Sequence, residues 1–466
     1  MSLRHDTQDA DTGGQTTSIT VYGGAGQIGG NKILVEHKDT RLFLDFGEPF
    51  RMKDEFFVDW LMPRDRFGLR DYFFFDLLPQ MDGLYDEEWL EGTGVKHTSP
   101  AFDAILVSHM HFDHAMHLKF ADREIPVHLG TAADIIRESW VATGGKNVDF
   151  GEHQFNRFRT GETFKIGSVE VEPIHVDHSV PGAYAFLLHT PEGCIAYTGD
   201  LRMHGTRRDM TADFVRRASE EKPIALISEG TRVTDKDPRK NISEKGVEDR
   251  CRRLISSNKK LAVVSFYPKD VDRMRTFREV AVATGRKFVV SAKVAHLLEA
   301  LEADKHIVVP DPMRDPNMLV YVREMSRPLA YEQAYIDKRN SSDHIVDSDF
   351  VKKNQRELIY HTDFMQLTEL IDVKPEKGSL FIRSKSEPFE EDDRQEEILK
   401  NWITFLGLDF HTAHASGHAS MQEIFSMART INAKTLVPVH TEHPEMFSRC
   451  SSCVKCPELR KTVCIA

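Results

Sequence analysis

The chain has 466 residues, enough for two or three domains with well-buried cores. Its formal net charge of −12 argues against wholesale coating of nucleic acid, so a polyanionic substrate must meet a local basic groove or bound metal; it does not exclude a nuclease. Six cysteines are too few for a disulfide framework at this length, no apolar run is long enough to span a bilayer, and the polar start Met1-Ser2-Leu3-Arg4-His5-Asp6 lacks a signal-peptide core, so a cytoplasmic protein without a membrane segment is expected.

In chain order, Ser18 to Tyr22, Lys32 to Glu36 and Leu42 to Leu44 read as strands. Gly24-Ala25-Gly26-Gln27-Ile28-Gly29 satisfies GxGxxG, yet strands continue on both sides. The glycines therefore open no helix that could hold a pyrophosphate, and a hairpin is the better reading. Asp45 follows Leu44, and the plainer, less favoured reading of it is a turn residue before Gly47. Glu48 to Pro100 is a long insertion containing Asp71-Tyr72-Phe73-Phe74-Phe75, Tyr85 and Trp89, read first as packed core or a subunit contact.

The apolar run Ala104-Ile105-Leu106-Val107 leads directly into Ser108-His109-Met110-His111-Phe112-Asp113-His114. One of these histidines alone would be a core or surface residue. Together, three imidazoles and a carboxylate within six residues are the donor set that Zn²⁺ favours. Further donors stand just past strand candidates: His178 after Val169 to Ile174, Asp200 after Cys194 to Thr198, and His440 after Thr435 to Val439. A carboxylate such as Asp200 can bridge two cations. Between Asp200 and His440, Pro223 to Ser228, Leu261 to Phe266, Lys287 to Ser291 and His306 to Val309 read as short buried strands. Helices such as Asp272 to Thr284, ended by Gly285, separate them, which suggests an inserted parallel α/β domain.

On these residues the chain resembles the metallo-β-lactamase superfamily, and most closely its β-CASP branch and ribonuclease J. The resemblance implies an αββα sandwich (residues 1–205 and 406–466, with a cysteine-rich tail) interrupted by an inserted α/β β-CASP domain at 206–405. It implies two divalent cations, Zn²⁺ or Mn²⁺, with His109, His111 and His178 on one, Asp113, His114 and His440 on the other, Asp200 bridging, and Asp45 supporting a ligand histidine. Glu229 and His418 match acidic and histidine motifs of the branch, and with Asp113 and Asp200 they are the candidate catalytic groups. The implied activity is hydrolysis of RNA phosphodiesters, 5′ to 3′ from a monophosphorylated end and also internally, with a DNA nuclease or another hydrolase of this fold as the alternative.

In such relatives the loop matching Ser416-Gly417-His418-Ala419-Ser420 holds the RNA 5′ phosphate. The competing reading is a helix cap, with Ser420 capping and Glu423 three residues on. Arg202, His204, Arg207, Arg208, Lys269 and Arg273 are basic candidates for substrate contact or simply a solvated face. The 48–100 insertion could add base stacking along an RNA path. Cys450, Cys453, Cys456 and Cys464 form a CxxCxxC set with a distant fourth, a low-specificity zinc or iron–sulfur pattern. Two features depart from ribonuclease J: Arg383-Ser384-Lys385-Ser386-Glu387-Pro388 does not follow its pattern, and its further C-terminal domain is not in this sequence, which leaves a homo-oligomer open.

Overall fold

The computed structural model describes residues 17–50, 55–58, 60–237, 241–386 and 393–465. The polar start Met1–Asp6, Glu387, Pro388 and part of the 48–100 insertion lie outside the described residues.

Two sheets face each other. In the first, Thr462–Cys464, Ser18–Gly23, Lys32–His37, Thr40–Leu44, Ala104–Val107, Val127–Gly130 and Phe155–Phe158 lie side by side in that order. The second runs Thr435–Pro438, Ala225–Ser228, Gly193–Tyr197, Tyr184–Thr190, Val169–His175 and Phe164–Ile166. Strand alternation explains their packing. Leu42 and Leu44 point inward to a core shared with Phe186, Leu188, Ile195 and Ile227, while Phe43 between them points outward. The outer face of the first sheet is covered by helix Thr131–Gly144 through Ile135 and Ile136, and that of the second by helices Arg208–Glu221 and Met421–Ile431 through Phe214, Ala218, Ile424 and Phe425. The result is an αββα sandwich with an inserted α/β domain, as the sequence led one to expect.

The inserted sheet is wholly parallel, in the order Ile345–Val346, Met318–Tyr321, Lys287–Ser291, Leu358–Thr362, Ala262–Ser265, Leu380–Arg383 and Asp409–Thr412. Five of these strands are buried at every residue, as a parallel sheet covered on both faces requires. Helix Val271–Thr284 ends at Gly285 with φ 67°, the left-handed cap expected there.

Two expectations need correction. Ala225–Ser228 does not belong to the insertion: it pairs in parallel with Gly193–Tyr197 and Thr435–Pro438, so helix Arg208–Glu221 and this strand complete the sandwich. The inserted sheet instead starts at Ala262 and closes at Thr412, so sheet membership does not follow limits at 206 and 405. His306 to Val309 forms no strand; Val308 is 81% exposed, and Pro310 and Pro312 just beyond lack the N–H groups a ladder needs. The neighbouring strand is Met318–Tyr321.

Most described apolar side chains of the 48–100 insertion are packing residues. Tyr72, Phe73, Leu78, Leu84, Tyr85 and Leu90 are buried in the core that also holds Phe43, whereas Trp60 and Phe74 are exposed.

Candidate metal centre

Every candidate donor stands at a strand's C-terminal exit on one end of the sandwich. Asp45 follows Thr40–Leu44, Ser108 follows Ala104–Val107, His178 follows Val169–His175, Asp200 follows Gly193–Tyr197, Glu229 follows Ala225–Ser228, and His440 follows Thr435–Pro438. Asp45 (φ 59°) and His440 (φ 52°) both take the left-handed conformation, a strain that non-glycine residues carry only where the surroundings fix it.

Hydrogen bonds on the far side of each ring orient four imidazoles. Asp45, fully buried, accepts from Ser108 N (2.6 Å), Ser108 Oγ (2.8 Å), Tyr197 Oη (2.6 Å) and His114 Nδ1 (2.8 Å). Because the Ser108 hydroxyl donates to Asp45, it accepts from His109 Nδ1 at 3.0 Å. His178 Nδ1 donates to Gly417 O at 2.6 Å, and His440 Nδ1 donates to Thr231 Oγ1 at 2.8 Å. In each ring this turns Nε2 inward.

Two four-residue donor groups result, and Asp200 belongs to both as well as to a three-residue set with Glu229 and His418. His109, His111, His178 and Asp200 bring one donor atom each within 4.8 Å of one another, and so do Asp113, His114, Asp200 and His440. Asp200 Oδ2 lies 3.1 Å from His114 Nε2 and 3.7 Å from both His109 Nε2 and His440 Nε2. His111 Nδ1 is 2.9 Å from His109 Nε2 and 3.2 Å from His178 Nε2. All seven residues that the sequence singled out are brought together.

The electrostatics fit a cation in each group. Burial, then the neighbouring imidazoles, holds His109 well below the usual histidine range; burial takes His111 down to about 3 and keeps His178 well below its usual value. Three neutral rings thus converge their lone pairs, which repel unless an electrophile lies between them. In the other group burial opposes protonation of His114, but the Asp200, Asp113 and Asp45 carboxylates outweigh it and raise its pKa well above normal. His440 is raised in the same way. This carboxylate-rich cavity demands positive charge, and His114 Nε2 and Asp200 Oδ1 are buried without a hydrogen-bond partner.

Glu229 and His418 adjoin the shared carboxylate. Glu229 Oε1 accepts from Leu201 N (2.8 Å); Oε2 accepts from Thr231 Oγ1 (2.8 Å) and His418 Nδ1 (3.1 Å). Thr231, which the sequence reading did not single out, thereby links Glu229 to His440. The His418 ring lies 5.2 Å from that of His178 and 5.8 Å from that of His440, and the side chain is partly open to the cleft.

The 416–420 loop divides. Gly417 and His418 line the cleft. Ser420 forms a capping box with Glu423, and Ala419 is fully buried with its N–H on Leu201 O, so these two are committed to the fold and not to a phosphate. Ser416 Oγ accepts from His418 N (3.1 Å) and steadies that residue. The cleft extends from His111, Asp113, Asp200 and His440 to His414 and to Arg383, Ser384, Lys385 and Ser386 of the inserted domain, and Phe50 and Phe112 also line it.

Arg202 also needs correction. It is fully buried and bonds Asp177 (2.9 Å) and Asp272 (2.7 Å), with Glu244 at 3.6 Å. Arg273, also buried, bonds Glu244 at 2.7 Å. These cations pin the sandwich to the inserted domain and are not substrate contacts. His204 Nε2 bonds Ser416 O, Arg207 pairs with Asp209, and Arg208 is exposed. Arg202→Met would strand two carboxylates from their buried partner. The expected loss is about 3–5 kcal/mol in urea unfolding; a variant within 1 kcal/mol of wild type would show the network to be idle, taking ~1 kcal/mol as the scale of an ordinary substitution.

The GxGxxG segment is a loop between two antiparallel strands, as expected, and it packs against the metal centre. His440 N donates to Gly24 O, Asn31 N to Asp113 O, and a Cβ at Gly47 would meet Asp113 O at 1.7 Å. Lys32, buried among these loops, donates to Gly30 O and Gly47 O; burial lowers its pKa to about 7. Between pH 7 and the ordinary lysine value the unfolded chain holds a proton that the native one has released, so native stability should rise with pH across that window. Unfolding of wild type and Lys32→Met from pH 6.5 to 9.5 (about the window set by the linkage) should show that slope only in wild type. Parallel curves would assign the slope elsewhere.

The four tail cysteines join no metal-holding group among the described residues. Cys464 is held in a strand paired with Ser18–Gly23, and Cys450 Sγ bonds Phe447 O.

Residues 76–239 match the family described as the beta-lactamase superfamily domain, and residues 408–449 the Zn-dependent metallo-hydrolase RNA specificity domain. Ribonuclease J 1 of Streptococcus pyogenes is 24% identical over 434 residues, 91% of this chain and 68% of that protein. Ribonuclease J of Helicobacter pylori is 23% identical over 469 residues, 96% of this chain and 59% of its own length. A solved structure, titled as a protein of unknown function from Enterococcus faecalis, superposes with a TM-score of 0.76 at 25% identity, covering 96% of this chain and all of that one. The fold and the paired donor groups define a hydrolase of the metallo-β-lactamase superfamily. Within it, the chain is ribonuclease J-like and resembles the β-CASP branch.

Proposed function

We propose that this chain is a metal-dependent ribonuclease of the cytoplasm, acting in RNA processing or decay. In this reading it hydrolyses phosphodiester bonds 5′ to 3′ from a monophosphorylated end and also cuts internally. The observation that carries it is the pair of donor groups sharing Asp200, set beside Glu229 and His418 in a cleft between two domains. The ribonuclease J relatives and the RNA specificity match support RNA as substrate.

His109, His111, His178 and Asp200 would hold one divalent cation and Asp113, His114, Asp200 and His440 a second; imidazole-rich donors suit zinc, and manganese is the other candidate. When bound, such cations acidify water and offset charge on the phosphoryl oxygens. Asp113 lines the cleft and accepts from the attacking water, fixing its approach. His418, its Nδ1 on Glu229, presents Nε2 to the cleft and gives a proton to the departing 3′ oxygen. Gly417 and His418 are the part of the serine loop open to a 5′ phosphate.

Metal-replete protein incubated with matched RNA and DNA oligomers bearing 5′ hydroxyl, monophosphate or triphosphate ends tests this. Shortening of monophosphorylated RNA from its 5′ end is expected. Preferential cleavage of DNA would move the chain to the alternative nuclease reading, and inertness toward both would overturn the proposal.

A further inference from the structure

The cleft does not end at the metal ligands. Tyr267 stands edge-on to His111, ring centroids 5.5 Å apart at 63°, and is 36% exposed, uncommon for an aromatic in the interior of a domain junction. Its ring lines the cleft on one side and a second pocket on the other. That pocket lies between helix Thr131–Gly144 of the sandwich, which gives Ile136 and Trp140, and the inserted domain, which gives Lys269, Lys293 and Leu297.

Its charges are unbalanced. Lys269 donates to Met110 O at 3.1 Å, inside the histidine motif, and its ammonium lies 2.7 Å from the centroid of Trp140. Lys293 enters from the first turn of helix Ala292–Leu301, and Asp363 is the single carboxylate in the lining. Asp363 acts on Lys293, whereas the Met110 carbonyl is the hydrogen-bond partner of Lys269, so two lysines share one carboxylate in this lining. An aromatic face 36% open and two lysines with one carboxylate between them are the two components of a sequence-tolerant single-strand site: stacking for a base and lysine donors for a phosphate.

We propose that this pocket is a second nucleotide subsite, in which the RNA strand passing the metal ligands stacks a base on Tyr267 and seats the adjoining phosphate between Lys269 and Lys293. The subsite rests on the ribonuclease reading and deepens it: it makes the enzyme grip a strand beyond the bond it cuts. Trp140 then serves to hold Lys269 in place, and the Lys269 contact to Met110 couples strand binding to the loop that carries His109 and His111.

The test uses metal-loaded protein and 5′-monophosphorylated oligouridylates with phosphorothioate links that resist cleavage, from a dinucleotide upward. Affinity should rise once the strand is long enough to reach past Tyr267. For those longer strands Lys293→Ala should weaken binding roughly tenfold and flatten the log-affinity against log-salt slope by about 0.7, the share of one phosphate on a single strand. Tyr267→Leu should weaken it to a similar degree, roughly tenfold, with the slope kept, because stacking releases no counterion. Lys287→Ala, an exposed lysine on another strand, is the control and should change neither. Wild-type affinity and slope in Lys293→Ala, or an equal loss in Lys287→Ala, would overturn the subsite. If Lys293→Ala behaves as expected while wild type leaves ordinary RNA uncut, the ribonuclease reading fails and the strand-binding pocket stands.

Discussion

Replacing Asp200 by asparagine should empty both donor groups and lower turnover by at least about 10³-fold. The magnitude follows from position. Asp200 is the one residue common to the two groups, its Oδ2 facing His114, His109 and His440 and its Oδ1 buried with no protein partner. Despite burial, the neighbouring His114 and His440 keep this carboxyl well below its usual pKa, so the cavity is built around its negative charge. An asparagine removes that charge and turns an N–H₂ group toward sites that need electron pairs. Asp45→Asn gives the graded contrast. Asp45 bonds His114 Nδ1 directly and reaches His109 only through the Ser108 hydroxyl, so its amide should cost about 10–100-fold in affinity for the second cation and less for the cation of the three-histidine group. Elemental analysis of both variants, with circular dichroism as a check on folding, would separate these outcomes. A folded Asp200→Asn protein that retains two cations and full turnover would end the shared-ligand account.

The parts of this site that were legible in the sequence are those written locally. His109 to His114 is a cluster within six residues, and Asp200 and His440 each stand just beyond an apolar run, so strand period and donor type sufficed to find them. What stayed hidden depends on partners distant in the chain. Arg202 lies next to Asp200 and reads as a phosphate contact until Asp272, 70 residues away, is seen to neutralise it. Thr231 carries no motif of its own; its place between Glu229 and His440 exists only because Ala225–Ser228 and Thr435–Pro438 are neighbours in one sheet. The same pairing explains the misplaced boundary, since a short buried strand looks alike in either parallel sheet. Ser420 was ambiguous for a physical reason: a hydroxyl and a free N–H at a helix start suit an anion or Glu423 equally, and the capping box takes both.

His418→Ala should keep both cations and lose roughly 10²–10⁴-fold in kcat, the range of a positioned proton donor. His418 stands outside the two four-residue donor groups, but its Nδ1 is 3.9 Å from Asp200 Oδ2, so a purely local loss of metal must be measured and not assumed. Glu229→Gln tests how the ring is held. The Glu229 Oε1 bond from Leu201 N survives in glutamine, while an N–H₂ at Oε2 would oppose the hydrogens of Thr231 Oγ1 and His418 Nδ1. Glu229→Gln should therefore lower kcat by less than His418→Ala, about 10²-fold, and raise KM little, because the misdirected ring fails in the transition state more than in binding. The two losses should not add: once His418 is alanine, Glu229 has no ring to aim, and the double variant should sit within about threefold of His418→Ala. Additive losses would instead place Glu229 on a separate route, through Thr231 to His440, and the metal content of Glu229→Gln would then fall with its turnover.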